Sequence, residues 1–278
     1  MLGWFRPKRT DEAVAEQEIK WIQENPEPLY DYFSHTTGIH FDQKKEITTL
    51  KLTGFAKEHK SPSFSDLLSR LKSDAALLQK LINFLTVNET YFFREMDQIY
   101  YMVSEINKSS GPIRILCAPG STGEEPYSIA IALSEAGVDM GRISILSIDI
   151  NTEAIYSAQK AIYTKRSLHR LDDYFLERYF TPVGEKYHLC DTIRSKVEFK
   201  ALNLFESEVF DLGKFDYLFS RNMLIYFDTI KTASAIDRLA ALAKTADSLL
   251  FFGHADIVVQ PAGLIEHYQG RVKFYTQT

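Results

Sequence analysis

The chain has 278 residues, 45% of them apolar and 13% aromatic, enough for one large core or for a small domain beside a medium one. A formal charge of −5, a sequence pI near 5.8 and the lack of a basic tail give no electrostatic footprint for a nucleic-acid partner. No uninterrupted apolar stretch approaches the roughly 18 residues of a transmembrane helix. The opening "MLGWFRPKRT" lacks the apolar core of a secretory signal, so the expected location is the cytoplasm, without membrane insertion.

In chain order, residues 11–24 read as a weak helix that "NPEP" at 25–28 breaks, which makes 1–28 an N-terminal extension. Residues 29–87 read as a helical domain. In "SPSFSDLLSRL", Ser63 stands as an N-cap with Asp66 three residues on, and Phe64, Leu67, Leu68 and Leu71 follow at helical spacing. "SDAALLQKLINFL" repeats that spacing with Leu78, Leu81, Ile82 and Leu85, so two neighbouring amphipathic helices are expected. Residues 88–111 read as a connecting helix and linker.

After "SSGP" at 109–112 the pattern changes. "IRILCA", "ISILSI", "VEFKAL", "FDYLFS" and "SLLFFG" are strand candidates, too uniformly apolar for a sheet with one wet face. Helical stretches between several of them predict an α/β domain over 112–278, with a mostly parallel sheet covered on both sides. "RVKFYT" is expected as a sixth strand at an edge. Residues 163–196 exceed what one crossover needs, and they predict a helix followed by a small inserted β-hairpin subdomain at about 178–200. Cys117 and Cys190, the only two cysteines, are too few for a disulfide framework. Cys117 reads as an inert buried thiol, and no metal site is expected, because the seven histidines form no HExxH or similar pair.

In an open parallel sheet, ligands bind beyond the carboxyl ends of the strands where strand order reverses. "APGSTGEEPYS" at 118–128 follows the first strand. Its glycines, Gly120 and Gly123, match neither the dinucleotide fingerprint nor the P-loop. Glu124 and Glu125 fall in the first turn of the next helix, where they repel a pyrophosphate and favour a ligand with cationic groups. S-adenosylmethionine (SAM) has that character. Asp149 ends the second strand, where such sheets grip ribose hydroxyls. Both features also admit a plainer account, in which the glutamates complement the helix dipole and Asp149 caps the helix starting near Asn151.

"NETYFFRE", "STGEEPYSIAIAL", "SIDIN", "ALNLFE", "RNMLIYFD" and "LLFFGH", in this order over about residues 29–275, together resemble the chemotaxis receptor glutamate O-methyltransferases of the CheR family. The resemblance implies an N-terminal all-helical domain, then a Rossmann-like class I SAM-dependent methyltransferase domain with a small inserted antiparallel β subdomain. It implies methyl transfer from SAM, leaving S-adenosylhomocysteine (SAH), to glutamates on the cytoplasmic helical bundle of chemoreceptors. Matched position by position, the implied cofactor contacts are Asn88, Thr90, Arg94, Glu125, Asp149, Asn203, Leu204, Arg221 and Asn222. Arg94 and Tyr226 match the residues that flank the transferring methyl. Taken without the resemblance, Arg94 beside Glu95 reads as a solvated ion pair and Tyr226 as a core aromatic.

A glutamate with an ordinary pKa near 4.3 is already ionised at neutral pH, so attack on the methyl needs positioning and desolvation rather than a general base. Carboxylate and sulfonium charges are partly cancelled in the transition state, so Arg94 and Tyr226 are expected to orient more than to stabilise charge.

The sequence departs from the family at Pro119 and Gly120, where two small residues are usual, and at "GHAD", where Ala255 and Asp256 replace Ser-Glu. The segment "TPVGEKYHLCDTIRSK" is about four residues shorter than in relatives that dock a receptor pentapeptide, which implies action without that tether. Substrate recognition is implied for a basic helix of the first domain, where Lys44, Lys45, Lys51, Lys57 and Lys60 exceed Asp42, Glu46 and Glu58. That excess alone reads as a solvated face. The alternative function is a regulatory protein of methyltransferase descent that binds SAM or SAH without methylating receptors. A nicotinamide-dependent dehydrogenase fails on the missing fingerprint and the paired glutamates.

Overall fold

The computed structural model describes residues 24–41, 45–256 and 263–278. Apart from Glu24, the helix expected over 11–24 lies outside them, as do Asp42 and Lys44. The chain divides into two compact units, one ending at Leu85 and one from Thr86 to Thr278.

The first unit holds four helices, α1 (Glu27–Thr37), α2 (Lys45–Glu58), α3 (Phe64–Ser73) and α4 (Ala75–Leu85). Helix α3 starts where its cap lies, since the Ser63 side chain accepts from the Asp66 N–H at 3.0 Å. The Glu24 carboxylate takes the neighbouring N–H groups of Phe64 and Ser65 at 2.7 and 3.0 Å, so three of the four donors that a helix start leaves open are satisfied. Phe64, Leu67 and Leu71 are buried on one stripe of α3, and Leu77, Leu81, Ile82 and Leu85 on one stripe of α4. Leu77 takes the place expected for Leu78, because the buried stripe of α4 begins one residue earlier. Tyr30 joins α1 to α2 through its hydroxyl, which bonds the Thr49 hydroxyl at 2.7 Å and donates to the Lys45 carbonyl at 2.9 Å.

The second unit is built on a seven-stranded sheet. Helix α5 (Met96–Ile106) leads into β1 (Ile113–Cys117), α6 (Glu124–Glu135), β2 (Ile143–Asp149) and α7 (Thr152–Lys160). After an inserted region the chain returns through β6 (Val197–Ala201), β7 (Tyr217–Ser220), α11 (Thr229–Ala241), β8 (Leu249–Phe252), β9 (Leu264–Gln269) and β10 (Val272–Gln277). The spatial order is β6-β2-β1-β7-β8-β10-β9. The first five run parallel, and β10 is antiparallel to both its neighbours.

Side chains of a strand alternate between faces. Ile113, Ile115 and Cys117 of β1 join one buried cluster with α5 and α6, which supply Ile99, Met102, Ile129 and Leu133. Leu116 joins the other with Leu218, Leu250 and the α11 residues Ala235, Ile236 and Leu239. Both faces of the sheet are therefore covered.

Two strand expectations need correction. "RVKFYT" falls in β10, inside the sheet, and the edge is β9, which its sequence "LIEHYQ" conceals because only Leu264 of that strand is buried. The opposite edge, β6, alternates half-buried and exposed residues rather than forming a uniformly apolar strand, as an edge strand with one partner can.

The inserted region contains β3 (Ile162–Tyr163), α8 (Lys165–Leu168), α9 (Asp173–Tyr179), β4 (Phe180–Val183), β5 (Lys186–Leu189) and α10 (Asp191–Arg194). Strands β3, β5 and β4 form a separate antiparallel sheet in that order, while residues 197–201 belong to the main sheet. Among the described residues, no helix is long and apolar enough to cross a membrane.

Candidate active site

Strand β1 has β2 on one side and β7 on the other, so the strand order reverses at β1 and the turn leaving it opens at the switch point. The turn begins with a cis Ala118–Pro119 bond. A Cβ at Gly120 would stand 1.7 Å from the Ser147 hydroxyl and 3.1 Å from its Cβ, so glycine lets the turn pass close to β2 without displacing that side chain. Gly123 caps α6 at φ +95°. A Cβ there would meet Ala158 and Tyr127 at 3.0 Å, so both conformation and space require glycine.

The two glutamates after the turn have different surroundings. Glu124 is buried, with its carboxylate held by the Thr122 hydroxyl at 2.6 Å and the Ser167 hydroxyl at 2.9 Å. Burial pushes its pKa up against those bonds. One oxygen of Glu125 pairs with Arg221 Nε at 2.5 Å, while the other, Oε1, is buried without a partner. Of the two glutamates, only Glu125 keeps a buried carboxylate oxygen without a partner, and its other oxygen is balanced by Arg221.

Arg221, just beyond β7, has a side chain only 2% exposed. Besides pairing with Glu125, it donates through Nη1 to the carbonyls of Arg94 at 2.9 Å and Glu95 at 3.1 Å. Phe93 and Glu95 both adopt left-handed backbone, with φ of +62° and +50°, so Arg221 fastens a segment that costs energy to form. Arg94 is half-buried, 3.9 Å from the Glu95 carboxylate, with its guanidinium 5.6 Å from the centre of the Tyr91 ring. Glu95 also takes the His254 N–H at 3.2 Å. With its side chain 12% exposed, it is no member of a solvated pair.

Asp149 ends β2 and is buried. Its two oxygens accept the N–H groups of Ser121 and Asn151, each at 2.8 Å, and burial raises its pKa against those bonds. Asn151 itself caps α7 through the Ala154 N–H, so Asp149 ties the glycine turn to the helix entry without being the cap. Asn203 is buried and accepts from the Phe205 N–H at 3.0 Å, and the carbonyl of buried Leu204 accepts from Arg238 at 3.2 Å.

Asn222 takes the left-handed conformation, φ +59°, and its N–H is held by the Asp256 carboxylate. Tyr226 closes a short 3₁₀ turn four residues on, half-buried, and burial raises its phenol pKa above the usual 10. Asn88 and Thr90 lie half-buried on the stretch before α5. That stretch is anchored by the N–H groups of Phe92 on the Ser167 carbonyl and Phe93 on the Ser128 hydroxyl.

The structure thus connects Arg94, Glu125 and Arg221 in one network and sets Asp149 and Asn222 in bonded clusters of their own. No hydrogen bond joins Asn88, Thr90 or Tyr226 to these among the described residues. Glu95 and Asp256 are the residues that sequence reasoning missed. The signal for Glu95 is an acid following Arg94 directly after the aromatic run Tyr91–Phe93. Cys117 is fully buried, and burial beside Glu125 raises its thiol well above the usual range, so it stays protonated and inert.

Five buried polar atoms in this region have no partner, namely Ser121 Oγ, Glu125 Oε1, Ser147 Oγ, Ser220 Oγ and Asn222 Nδ2. They belong to β2, to β7, to the turns leaving β1 and β7, and, for Glu125, to the first turn of α6. Buried polar groups are normally paired, so their concentration at the switch point marks a ligand site. A free carboxylate oxygen, an amide donor and several hydroxyls fit SAM, which offers an ammonium, a carboxylate and ribose hydroxyls. Sheet order and site fit a class I SAM-dependent methyltransferase.

The profile of the CheR methyltransferase, SAM binding domain, matches residues 88–274. A chemotaxis protein methyltransferase of Campylobacter jejuni (strain 81-176) is 33% identical over 241 residues, covering 86% of this chain and 90% of the relative. Chemotaxis protein methyltransferase 2 of Vibrio cholerae is 36% identical over 243 residues, 81% of this chain and 83% of the relative. A third relative, chemotaxis protein methyltransferase 2 of Pseudomonas aeruginosa, is 30% identical over 269 residues, 93% of this chain and 96% of the relative. The chain belongs to the CheR methyltransferase family and is a SAM-dependent methyltransferase of the chemotaxis type.

Proposed function

We propose that this chain methylates glutamate side chains on the cytoplasmic helical bundle of chemoreceptors, and that it does so without a pentapeptide tether. The observation that carries the proposal is Glu125, whose Oε1 is buried and unpartnered at the switch point of a chain that belongs to the CheR family. Such an oxygen suits the methionine ammonium of SAM. In the same reading the ribose falls to Asp149 and the adenine to Asn203 and Leu204. Asn88, Thr90, Arg94, Arg221 and Asn222 complete the cofactor contacts, and Arg94 and Tyr226 flank the methyl. The short hairpin of β4 and β5, turned by Gly184 at φ +61°, supports tether-free action.

When bound, SAM supplies a methyl group activated by its sulfonium. The chain supplies position and a dry site. A phenol with an ordinary pKa near 10 is neutral at physiological pH, and burial moves Tyr226 further the same way, so it orients a partner through its hydroxyl and does not act as a base. Arg94 is held between Glu95 and the Tyr91 ring, which fixes the guanidinium and restrains its pull on the substrate carboxylate. A strong ion pair there would favour reactants over the charge-cancelled transition state.

The test is transfer of labelled methyl from SAM to receptor-bearing membranes, followed by alkali to release methanol. Base-labile label that Asp149→Ala abolishes is expected. Tyr226→Phe should lower turnover by up to about tenfold, the worth of one hydrogen bond, with SAH affinity unchanged. An absence of label from an enzyme that still binds SAH would overturn the receptor assignment in favour of a regulatory binding protein.

A further inference from the structure

We propose that Asp256 is a positioning residue that sets the backbone of residues 222–225, and so aims the Asn222 carboxamide and places Tyr226. The inference rests on the reading of Asn222 as a cofactor contact. Asp256 is 4% exposed, and its carboxylate gathers N–H groups from two loops. Oδ2 accepts from Asn222, and also from Gly253 at 2.9 Å, while Oδ1 accepts from Ile225 at 3.3 Å. The loop after β7 is thus bonded to the loop after β8 through one side chain.

Asn222 shows why the bond matters. Asparagine takes the left-handed region, here φ +59°, more readily than other non-glycine residues, and the bond from its N–H to Asp256 selects that conformation. With its N–H on Asp256, the Nδ2 group of Asn222 is buried and has no partner in the protein, as a donor reserved for a ligand would be. Packing around the bond is tight. A Cβ at Gly253 would lie 2.8 Å from Asn222 N, 2.9 Å from Asn222 Nδ2 and 2.9 Å from the Asp256 carboxylate. Tyr226 follows at the end of the turn that the Ile225 bond anchors, with its own N–H on the Met223 carbonyl at 3.1 Å. Asp256 touches neither substrate nor cofactor in this account, and its influence passes through the backbone it holds.

The test is a double-mutant cycle read by calorimetric titration of SAH into the full chain. Asn222→Ala is expected to weaken binding about tenfold, the worth of a hydrogen bond. Asp256→Asn, which sets an amide N–H₂ against backbone donors, is expected to weaken it by a similar factor. The double variant should lose about tenfold rather than about a hundredfold, because the two residues act as one unit. Should Asp256→Asn not fold, Asp256→Glu keeps the acceptor charge but moves it by a methylene, and a several-fold loss that disappears in the Asn222→Ala background is expected. Wild-type SAH affinity in a folded Asp256 variant, or losses that simply multiply, would overturn the inference. If Asn222→Ala alone leaves SAH affinity intact, the cofactor reading of Asn222 fails first and this inference with it.

Discussion

The helical unit and the strand ends of the sheet unit treat buried polar groups in opposite ways. At the start of α3, one serine and one glutamate close three backbone donors, and the Tyr30 hydroxyl is bonded on both sides. At the ends of β2 and β7, in the turns after β1 and β7 and at the start of α6, five buried polar atoms lack partners, while left-handed backbone at Phe93, Glu95 and Asn222 is held by two buried charged side chains, Arg221 and Asp256. One region is finished by its own sequence, and the other is organised to receive something. Unpaired buried groups cost stability, a cost that a ligand pairing with them would offset.

Removing Arg221 should break this contrast most severely. Arg221→Ala leaves the Glu125 carboxylate buried without its cation and frees the carbonyls of Arg94 and Glu95. We expect a loss of about 3–5 kcal/mol, the usual result of deleting one partner of a buried pair, measured by urea unfolding. A loss near the surface-pair range of about 0–1 kcal/mol would show that the network is not a buried one. At the helical unit the same experiment should be mild. Ser63→Ala should cost about 1 kcal/mol, because Glu24 still serves the Phe64 and Ser65 donors, and SAH affinity should not move. A change in SAH affinity on that substitution would contradict the independence of the two regions.

How much of this was legible depended on the range of the interaction. The α3 cap is a three-residue pattern, and Ser63 was readable from it. Strand β1 was readable because its residues are buried on both faces. Asp149 was found because a strand followed by a helix fixes where its last residue stands. Strand β9 was not, since its lone buried residue leaves no period to detect. Spacing and charge alone did not separate Glu124 from Glu125, and only the family resemblance singled out Glu125. Their difference lies in Ser167, 43 residues beyond Glu124, and in Arg221, 96 residues beyond Glu125. Asp256 looked like a departure from a family motif, and its role emerges only when β8 brings it beside Asn222, 34 residues earlier.

The most direct measurement of the central claim, that the strand ends are organised around SAM, is a calorimetric titration of SAH against the wild-type chain and Glu125→Gln. The variant keeps size and shape but exchanges the unpaired carboxylate oxygen for a neutral amide. A single site in the wild type, weakened about ten- to hundredfold in Glu125→Gln as expected for a hydrogen bond to a charged group, is the predicted result. Equal affinity of a folded Glu125→Gln variant and the wild type would contradict the account, and would place the cofactor's ammonium elsewhere.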